Sequence, residues 1–229
     1  MTKKRLVVLS GAGMSAESGI QTFRGAGGLW NGYDVMEVAS PEGWAANPEM
    51  VLDFYNQRRK NAAEVEPNQG HNLLAEMEGE YDIQIITQNV DNLHEKAGSS
   101  NVLHLHGELF KVRSTVDESK VYELEGWELN WGDKCELGSQ LRPHIVWFGE
   151  AVPLIETAIK IAKTADLFVV IGTSLAVYPA ASIVDYVAYQ VPKFIIDPDI
   201  PPVYGIENLH KIEKGASEGV KELIERLKS

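Results

Sequence analysis

In the stretch FYNQRRK, Phe54 to Lys60, a phenol and a guanidinium stand one helical turn apart, at Tyr55 and Arg58. Asn47-Pro48-Glu49, just ahead, has the composition of a helix start: Asn caps, Pro fits the first helical position, and Glu suits the positive end of the dipole. A helix run forward from there puts Val51, Tyr55, Arg58 and Ala62 on one stripe that is otherwise apolar and should face protein. An arginine turned inward keeps its charge and demands an anion. Two partners meet that demand on the helical face alone. One is a carboxylate of the chain, from Glu49, Asp53 or Glu64. The other is a carboxylate on a ligand, gripped through two parallel hydrogen bonds with the Tyr55 hydroxyl adding a third. Arg59 and Lys60 are expected on the solvated side.

A second chemistry sits near the start. LVVLSGAGMSAESGIQTFRG runs from an apolar strand into Gly11-Ala12-Gly13, and GAGMSA fits the G-x-G-x-x-G/A pattern. Small residues there let backbone amides approach a pyrophosphate. Hydride-transfer enzymes would follow with a second strand and an acidic residue about 20 positions on. Here that window reads AGGLWNGYDV, a predicted loop, and Asp34 follows no strand. The chain is thus built to hold a dinucleotide without the dehydrogenase arrangement. Glu17 and Arg24 either anchor that ligand or form an ion pair with each other.

Polar clusters follow three further strands: Gln88-Asn89-Val90-Asp91-Asn92, His106-Gly107-Glu108 and Gly172-Thr173-Ser174. Any one could be a helix cap. Together at one sheet edge they read as a shared site, with Asn89 and Asp91 suited to ribose hydroxyls and a carboxamide. His104 and His106 alternate along one predicted strand. His106, last before Gly107, is placed to act as a general base, and His104 reads as a core histidine bonded to a carbonyl. His71, His94, His144 and His210 carry no comparable signal.

The elements that must position these groups are β-branched runs at 5–10, 82–87, 101–106, 144–148, 166–172 and 193–197. Several are apolar at consecutive positions, as strands covered on both faces should be. Amphipathic segments at 71–78, 154–165 and 180–189 alternate with them, and a closing helix carries Val220, Leu223, Ile224 and Leu227 on one face. The expectation is an α/β fold, a Rossmann-like doubly wound parallel sheet. Residues 22 to about 66 and 110 to about 142 break the rhythm, the latter with weak strand signals at KVYEL and WELNW. They are expected to build a small second domain. The predicted division gives 1–24, 67–109 and 143–229 to the sheet domain and 25–66 and 110–142 to the small one.

The 229 residues are 44% hydrophobic, and the net charge of −12 opposes a general nucleic-acid or anionic-membrane binder. No apolar run approaches a membrane span, and the start reads as a first strand, not a signal peptide. A single cysteine, Cys135, excludes an internal disulfide and a cysteine-rich zinc site. A cytoplasmic protein is expected, with no indication of its oligomeric state.

GAGMSAESGIQTFRG, TQNVDNLHEKAG, HLHGEL, RPHIVWFGE and IGTSLAVYPAAS, in that order, closely resemble the sirtuins, NAD-dependent protein-lysine deacylases. The resemblance covers nearly the whole chain. It implies NAD contacts from Gly11, Ala12, Gly13, Ser15 and Glu17, and from Thr22, Phe23, Arg24 and Trp30. Gln88, Asn89, Val90 and Asp91 would lie near the nicotinamide and its ribose, with Asn89 and Asp91 joining His106 as catalytic residues. Gly172, Thr173 and Ser174 would approach the pyrophosphate and adenosine ribose, with Ala216 near adenine. Asp197, preceded by Ile196, stands where relatives often carry an Asn. An acyl-lysine peptide is implied between the domains, paired as a strand along Val146, Phe148, Gly149 and Glu150. In the implied mechanism the acyl oxygen attacks C1′ of the nicotinamide ribose and expels nicotinamide. His106 helps deprotonate a ribose hydroxyl that attacks the resulting imidate, and water then releases lysine and an O-acyl-ADP-ribose.

Tyr55-x-x-Arg58 resembles the class III sirtuin branch, which removes acidic acyl groups such as succinyl and malonyl. Deacetylation is a possible shared activity. Sirtuins typically hold a structural zinc with two cysteine pairs. Ser114 replaces the first of these cysteines and only Cys135 remains, so no zinc is expected. Packing of Tyr122, Leu124, Trp127, Leu129 and Trp131 would hold that module instead. The alternative functions are NAD-dependent ADP-ribosyl transfer and a non-catalytic module that senses NAD or ADP-ribose.

Overall fold

RLVVLS forms β1, Arg5–Ser10, in a computed structural model that describes residues 3–21, 29–30, 32–200 and 202–228. The chain divides into two compact units. Met1–Thr22, Glu66–Leu105 and Val152–Ser229 make the larger, and Phe23–Val65 with His106–Ala151 make the smaller.

In the larger unit β1 is joined by β4 (Asp82–Thr87), β5 (Val102–His104), β9 (Leu167–Ile171), β10 (Lys193–Ile196) and β11 (Leu209–Ile212). They form a six-stranded sheet in the order β11-β10-β9-β1-β4-β5, and every pair is parallel. Alternation along the strands separates two cores. Leu6, Val8, Ile83, Ile85 and Val169 pack beneath helices α5 (Gln69–Met77) and α8 (Ala216–Lys228). Val7, Leu9, Ile86, Phe168 and Val170 face α7 (Ile155–Ala162) and the 3₁₀ helix Ala180–Tyr186. Covering on both faces is why these strands read as unbroken apolar runs. On α8, Val220 and Leu223 are buried, with Ile224 and Leu227 packed against the same core, as their spacing predicts. The chain order winds away from β1 in both directions. The switch point therefore lies between β1 and β9, where ligands bind in open α/β sheets.

The smaller unit holds a hairpin of β2 (Leu29–Trp30) and β3 (Tyr33–Asp34), followed by helices α2 (Val35–Val38), α3 (Pro41–Ala46) and α4 (Pro48–Glu64). The window predicted as loop thus contains two very short strands, but neither joins the parallel sheet. Asp34 accepts from the Met36 amide and starts α2, and Asn47 caps α4 through the Met50 amide at 3.1 Å. A second sheet, antiparallel, runs β7-β6-β8 through Val121–Glu123, Gly107–Ser114 and Leu141–Ile145.

That pairing corrects the predicted boundaries. Residues 106–109 and 143–151 cluster with the smaller unit, because β6 and β8 bond to each other. His104 and His106 do not share a strand: β5 ends at His104 and a turn carries the chain to β6. WELNW forms no strand. Asn56 on α4 takes the strand partner's place, accepting from Leu129 N at 2.9 Å and donating to Leu129 O at 3.1 Å. Leu129 packs with Leu52 and Val112, flanked by Tyr122 and Leu124, whereas Trp131 is 56% exposed and outside that cluster.

Candidate functional site

At the carboxyl ends of β1 and β9 two glycine turns interlock. Gly11 N donates to Ile171 O at 2.9 Å and Gly13 N to Gly172 O at 2.8 Å. A Cβ on Gly13 would lie 2.6 Å from Gly172 Cα, and one on Gly172, at φ +62°, would lie 2.3 Å from Met14 N. Only glycine fits such an approach. The loop leads into the single turn α1, Gly13–Ala16. Ala12 is half-buried beside it.

Around this cradle a network of buried polar side chains forms. Asn89 Nδ2 donates to Gly11 O and to Ser15 Oγ, both at 3.1 Å, and Ser15 Oγ donates to Asp91 Oδ2 at 3.0 Å. The Asn89 amide donates to Thr87 Oγ1 at 3.0 Å, and its carbonyl lies 2.9 Å from His104 Nδ1. None of these bonds uses Asn89 Oδ1. Gln88 Nε2 reaches across the switch point to Thr173 Oγ1 at 3.0 Å. Val90 and Ser174 are half-buried within the same turns. Asp91 also accepts from Leu93 N at 3.2 Å, at the start of α6 (Leu93–Lys96), so it serves as a helix start as well. His104 is the carbonyl-bonded core histidine its position implied, with Nε2 2.8 Å from Glu95.

Other residues of the predicted set take different roles. Glu17 accepts from Ser217 N at the first turn of α8, and Gly215 lacks a Cβ where Glu17 Oε1 would stand 2.4 Å away. Ala216 and Asp197 are buried, and Asp197 accepts from Asp199 N at 2.9 Å. Thr22, Phe23, Arg24 and the Trp30 side chain lie outside the described residues, as does any Glu17–Arg24 pair.

In the smaller unit, His106 is half-buried and its carbonyl accepts from Val146 N at 2.9 Å. Gly107 follows at φ +85°, and a Cβ there would sit 2.0 Å from His144 O. Helix α4 turns Tyr55 fully inward, and Trp147 Nε1 donates to its hydroxyl at 3.0 Å. Burial pushes the Tyr55 phenol pKa up, opposed by the Arg58 charge and the Trp147 hydrogen bond. Arg58 is half-buried, its guanidinium carbon 5.8 Å from the Tyr55 ring centre and 5.7 Å from that of Phe54.

Two features of this unit were not anticipated. Arg59, expected in solvent, is fully buried. It donates to Trp127 O at 2.7 Å, Leu109 O at 3.4 Å and Asn56 Oδ1 at 2.5 Å, and burial lowers its pKa to about 10. Lys60 is exposed, 5.5 Å from the Trp127 ring centre. Glu150, expected along the peptide, is tied inward. It accepts from Arg142 at 2.7 Å, from Arg113 at 3.2 Å and from Trp147 N at 2.8 Å. Burial would push this carboxyl up, but the Arg142 bonds, the Trp147 amide and both guanidinium charges hold it below its usual value. Arg142 in turn stacks 3.4 Å from the Trp147 ring centre. Nothing in the spacing of Arg113, Arg142 and Glu150 announces this cluster, because the pairing of β6 with β8 assembles it. Phe148 is partly exposed and its amide donates to Ala39 O; Gly149 has φ +90°.

The Sir2 family description matches residues 11–179. The chain is 56% identical over 225 residues to the NAD-dependent protein deacylase of Bacteroides thetaiotaomicron, covering 96% of each. It is 55% identical over 224 residues to the NAD-dependent protein deacylase of Helicobacter pylori, covering 98% of this chain and 97% of that one. Among solved structures, a mutant Sir2 homologue–ADP ribose complex aligns with a TM-score of 0.90 at 41% identity, over 99% of this chain and 92% of the other. A Sir2 homolog–NAD complex aligns with a TM-score of 0.88 at 42% identity, over 99% and 90%. Likeness this high in both sequence and backbone, spanning the glycine cradle and the smaller unit alike, makes the chain a member of the Sir2 family.

Proposed function

We propose that this chain is an NAD-dependent protein-lysine deacylase whose preferred acyl groups carry a carboxylate, succinyl and malonyl before acetyl. Its family and the names of its relatives support the coarser reading. The acyl preference rests on one observation. The Tyr55 hydroxyl accepts from Trp147 Nε1, so its own proton is left to donate, and Arg58 follows one turn later on the same helix. A carboxylate meeting both would receive charge-assisted hydrogen bonds, which an acetyl methyl cannot accept.

The polar network fits NAD, because the Asn89 amide is locked through nitrogen while its Oδ1 makes no hydrogen bond among the described residues. Gly11, Gly13, Ser15, Gln88, Asn89, Asp91, Gly172, Thr173 and Ser174 would hold it. When bound, NAD supplies a ribose carbon with a departing nicotinamide and hydroxyls that accept the acyl group. Asn89 and Asp91 orient that ribose. His106 would take a proton from a ribose hydroxyl as general base, and its backbone is fixed by the Val146 bond and by Gly107. The amides of Val146, Trp147 and Phe148 are all bonded inside the smaller unit, so an acyl-lysine peptide laid along this segment would be met by carbonyls.

The same proposal makes the smaller unit independent of zinc. Ser114 Oγ lies 3.0 Å from Ser139 Oγ, and Cys135 Sγ lies 3.4 Å and 3.1 Å from those two oxygens. Two alcohols and one thiol are a poor donor set for a structural zinc. Ser114 Oγ also accepts from Val116 N and Asp117 N, so hydrogen bonds tie the turn. No helix among the described residues is long and apolar enough to cross a membrane. A cytoplasmic setting is part of the proposal.

The test is NAD-dependent lysine release from one peptide carrying succinyl, malonyl or acetyl groups, compared by kcat/KM. Preference for the acidic groups is the expected result. Equal or better acetyl turnover removes Arg58 from the acyl pocket and leaves the deacylase. Transfer of ADP-ribose to protein without lysine release would overturn the deacylase reading.

A further inference from the structure

His71 and His94 take no part in the chemistry above, yet they are 0% and 1% exposed, with ring centroids 4.9 Å apart. Their hydrogen bonds reveal how each is protonated. The Asn68 amide donates to His71 Nδ1 at 3.3 Å, which puts the His71 proton on Nε2. Ser10 Oγ donates to Thr87 Oγ1 at 2.9 Å and also lies 3.0 Å from His94 Nε2. A hydroxyl has one proton to give. His94 must therefore donate through Nε2, leaving Nδ1 a bare acceptor. Neither His71 Nε2 nor His94 Nδ1 has a hydrogen-bond partner among the described residues, and both atoms are buried. Thr87 Oγ1, at the end of the chain of bonds, accepts from the Asn89 amide at 3.0 Å.

We propose that His94, Ser10 and Thr87 form a positioning relay for Asn89, in which His94 donates to Ser10, Ser10 donates to Thr87, and Thr87 Oγ1 accepts from both Ser10 and the Asn89 amide. The inference rests on the reading of Asn89 as a residue that orients the ribose of NAD. Asn89 is held at three points: its amide by Thr87, its carbonyl by His104, and its side-chain nitrogen by Gly11 and Ser15. Removing the first frees the backbone that aims Oδ1, and misplacement of a reacting partner by about 1 Å can lower turnover by roughly 100-fold. The direction of the relay matters. With the His94 proton on Nδ1, Ser10 would have to donate to His94, and its bond to Thr87 could persist only reversed, with Thr87 as the donor.

The experiment uses the full-length protein. Long-range ¹H–¹⁵N correlation of the imidazoles at neutral pH should show His94 neutral with its proton on Nε2, which requires no variant. Thr87→Val removes the hydroxyl at nearly constant volume, and Thr87→Ser keeps it. The valine variant should lower kcat by about 10-fold or more while KM for NAD changes by less than about 3-fold, and the serine variant should restore most of the loss. His94→Phe and His94→Gln should divide in the same way, the amide of Gln standing in for the Nε2 donor. Loss of thermal stability with kcat unchanged in both Thr87→Val and His94→Phe would make the chain a purely structural brace. A His94 proton on Nδ1 would also overturn the relay. Full turnover by Asn89→Ala would instead show that the reading of Asn89 is wrong, and the relay with it.

Discussion

Arg58 and Arg59 are neighbours in sequence with different physics. Arg59 gives its nitrogens to two carbonyls and one amide oxygen and meets no carboxylate among the described residues, so it acts as a cross-brace from α4 to the Trp127 and Leu109 backbones. Arg59→Met should destabilise the protein by about 3 kcal/mol, because the Trp127 and Leu109 carbonyls lose this buried donor and Asn56 Oδ1 keeps only Leu129 N. Arg59→Lys should recover less than half of that, since one ammonium cannot reach three diverging oxygens. Urea denaturation measures both. Arg58 faces the Tyr55 ring instead, and substitutions there should alter selectivity more than stability. Tyr55→Phe and Arg58→Met are expected to lower kcat/KM for succinyl-lysine by about 10-fold and 100-fold or more, with acetyl-lysine changing by less than about 3-fold. A parallel fall for all acyl groups would make the pair structural.

At the scale of elements, glycine turns and helix caps decide where the chain can go. Gly172 is in a left-handed conformation with Met14 N within 2.3 Å of any Cβ. Gly172→Ala should therefore force β9 and the β1 loop apart, costing about 2–4 kcal/mol and abolishing NAD binding by calorimetry. Gly32, at φ +86° with open space around it, is a control in which only backbone strain operates, and Gly32→Ala should cost about 1–2 kcal/mol. Asn47→Ala removes the cap of α4 and should lower stability by about 1 kcal/mol, read as a fall in Tm, without altering the acyl preference.

For the whole molecule, the buried imidazoles link stability to pH. His71 is held neutral by burial, which lowers its pKa to about 4, with Glu17 and Glu95 opposing the shift, and His94 is lowered by burial and by the nearby His71 and His104. Unfolded, each takes a proton near pH 6.5. The unfolded state therefore gains protons first, and stability present above pH 6.5 is lost as the pH falls toward about 4, by about 1.4 kcal/mol per pH unit for each histidine. Carboxylates such as Glu150, lowered in the folded state, lose stability in the same direction at lower pH. Chemical denaturation across pH 4 to 7 should show His71→Gln with a slope smaller by about one proton around pH 5. An unchanged slope there would mean that His71 titrates alike in both states.

What the linear sequence determined was whatever depends on period and on short-range sterics. Val7, Val8 and Leu9 announce a strand covered on both faces, Asn47-Pro48 a helix start, and Gly11 and Gly13 a close approach of backbones. The order of elements led to the doubly wound sheet and to the polar residues at its carboxyl edge. The edge strand Leu209–Ile212 escaped notice because His210 and Lys211 face outward and leave no apolar run. Tertiary structure alone decided the partners of charged and polar groups. Arg59 flanks the buried stripe of α4 while Lys60 lies opposite it, and the backbones of Trp127 and Leu109 supply the acceptors that hold Arg59 inside. Asn56 replaces a strand partner because Leu129 arrives beside it, and Glu150 turns inward because pairing of β6 with β8 brings Arg113 and Arg142 together. Ser10 comes within 3.0 Å of His94 while bonded to Thr87 because β1 and β4 set Ser10 against Thr87 in register. A hydrogen bond is directional and short, so its partner is chosen by the fold, whereas burial of an apolar face is non-directional and is already written in the spacing of residues.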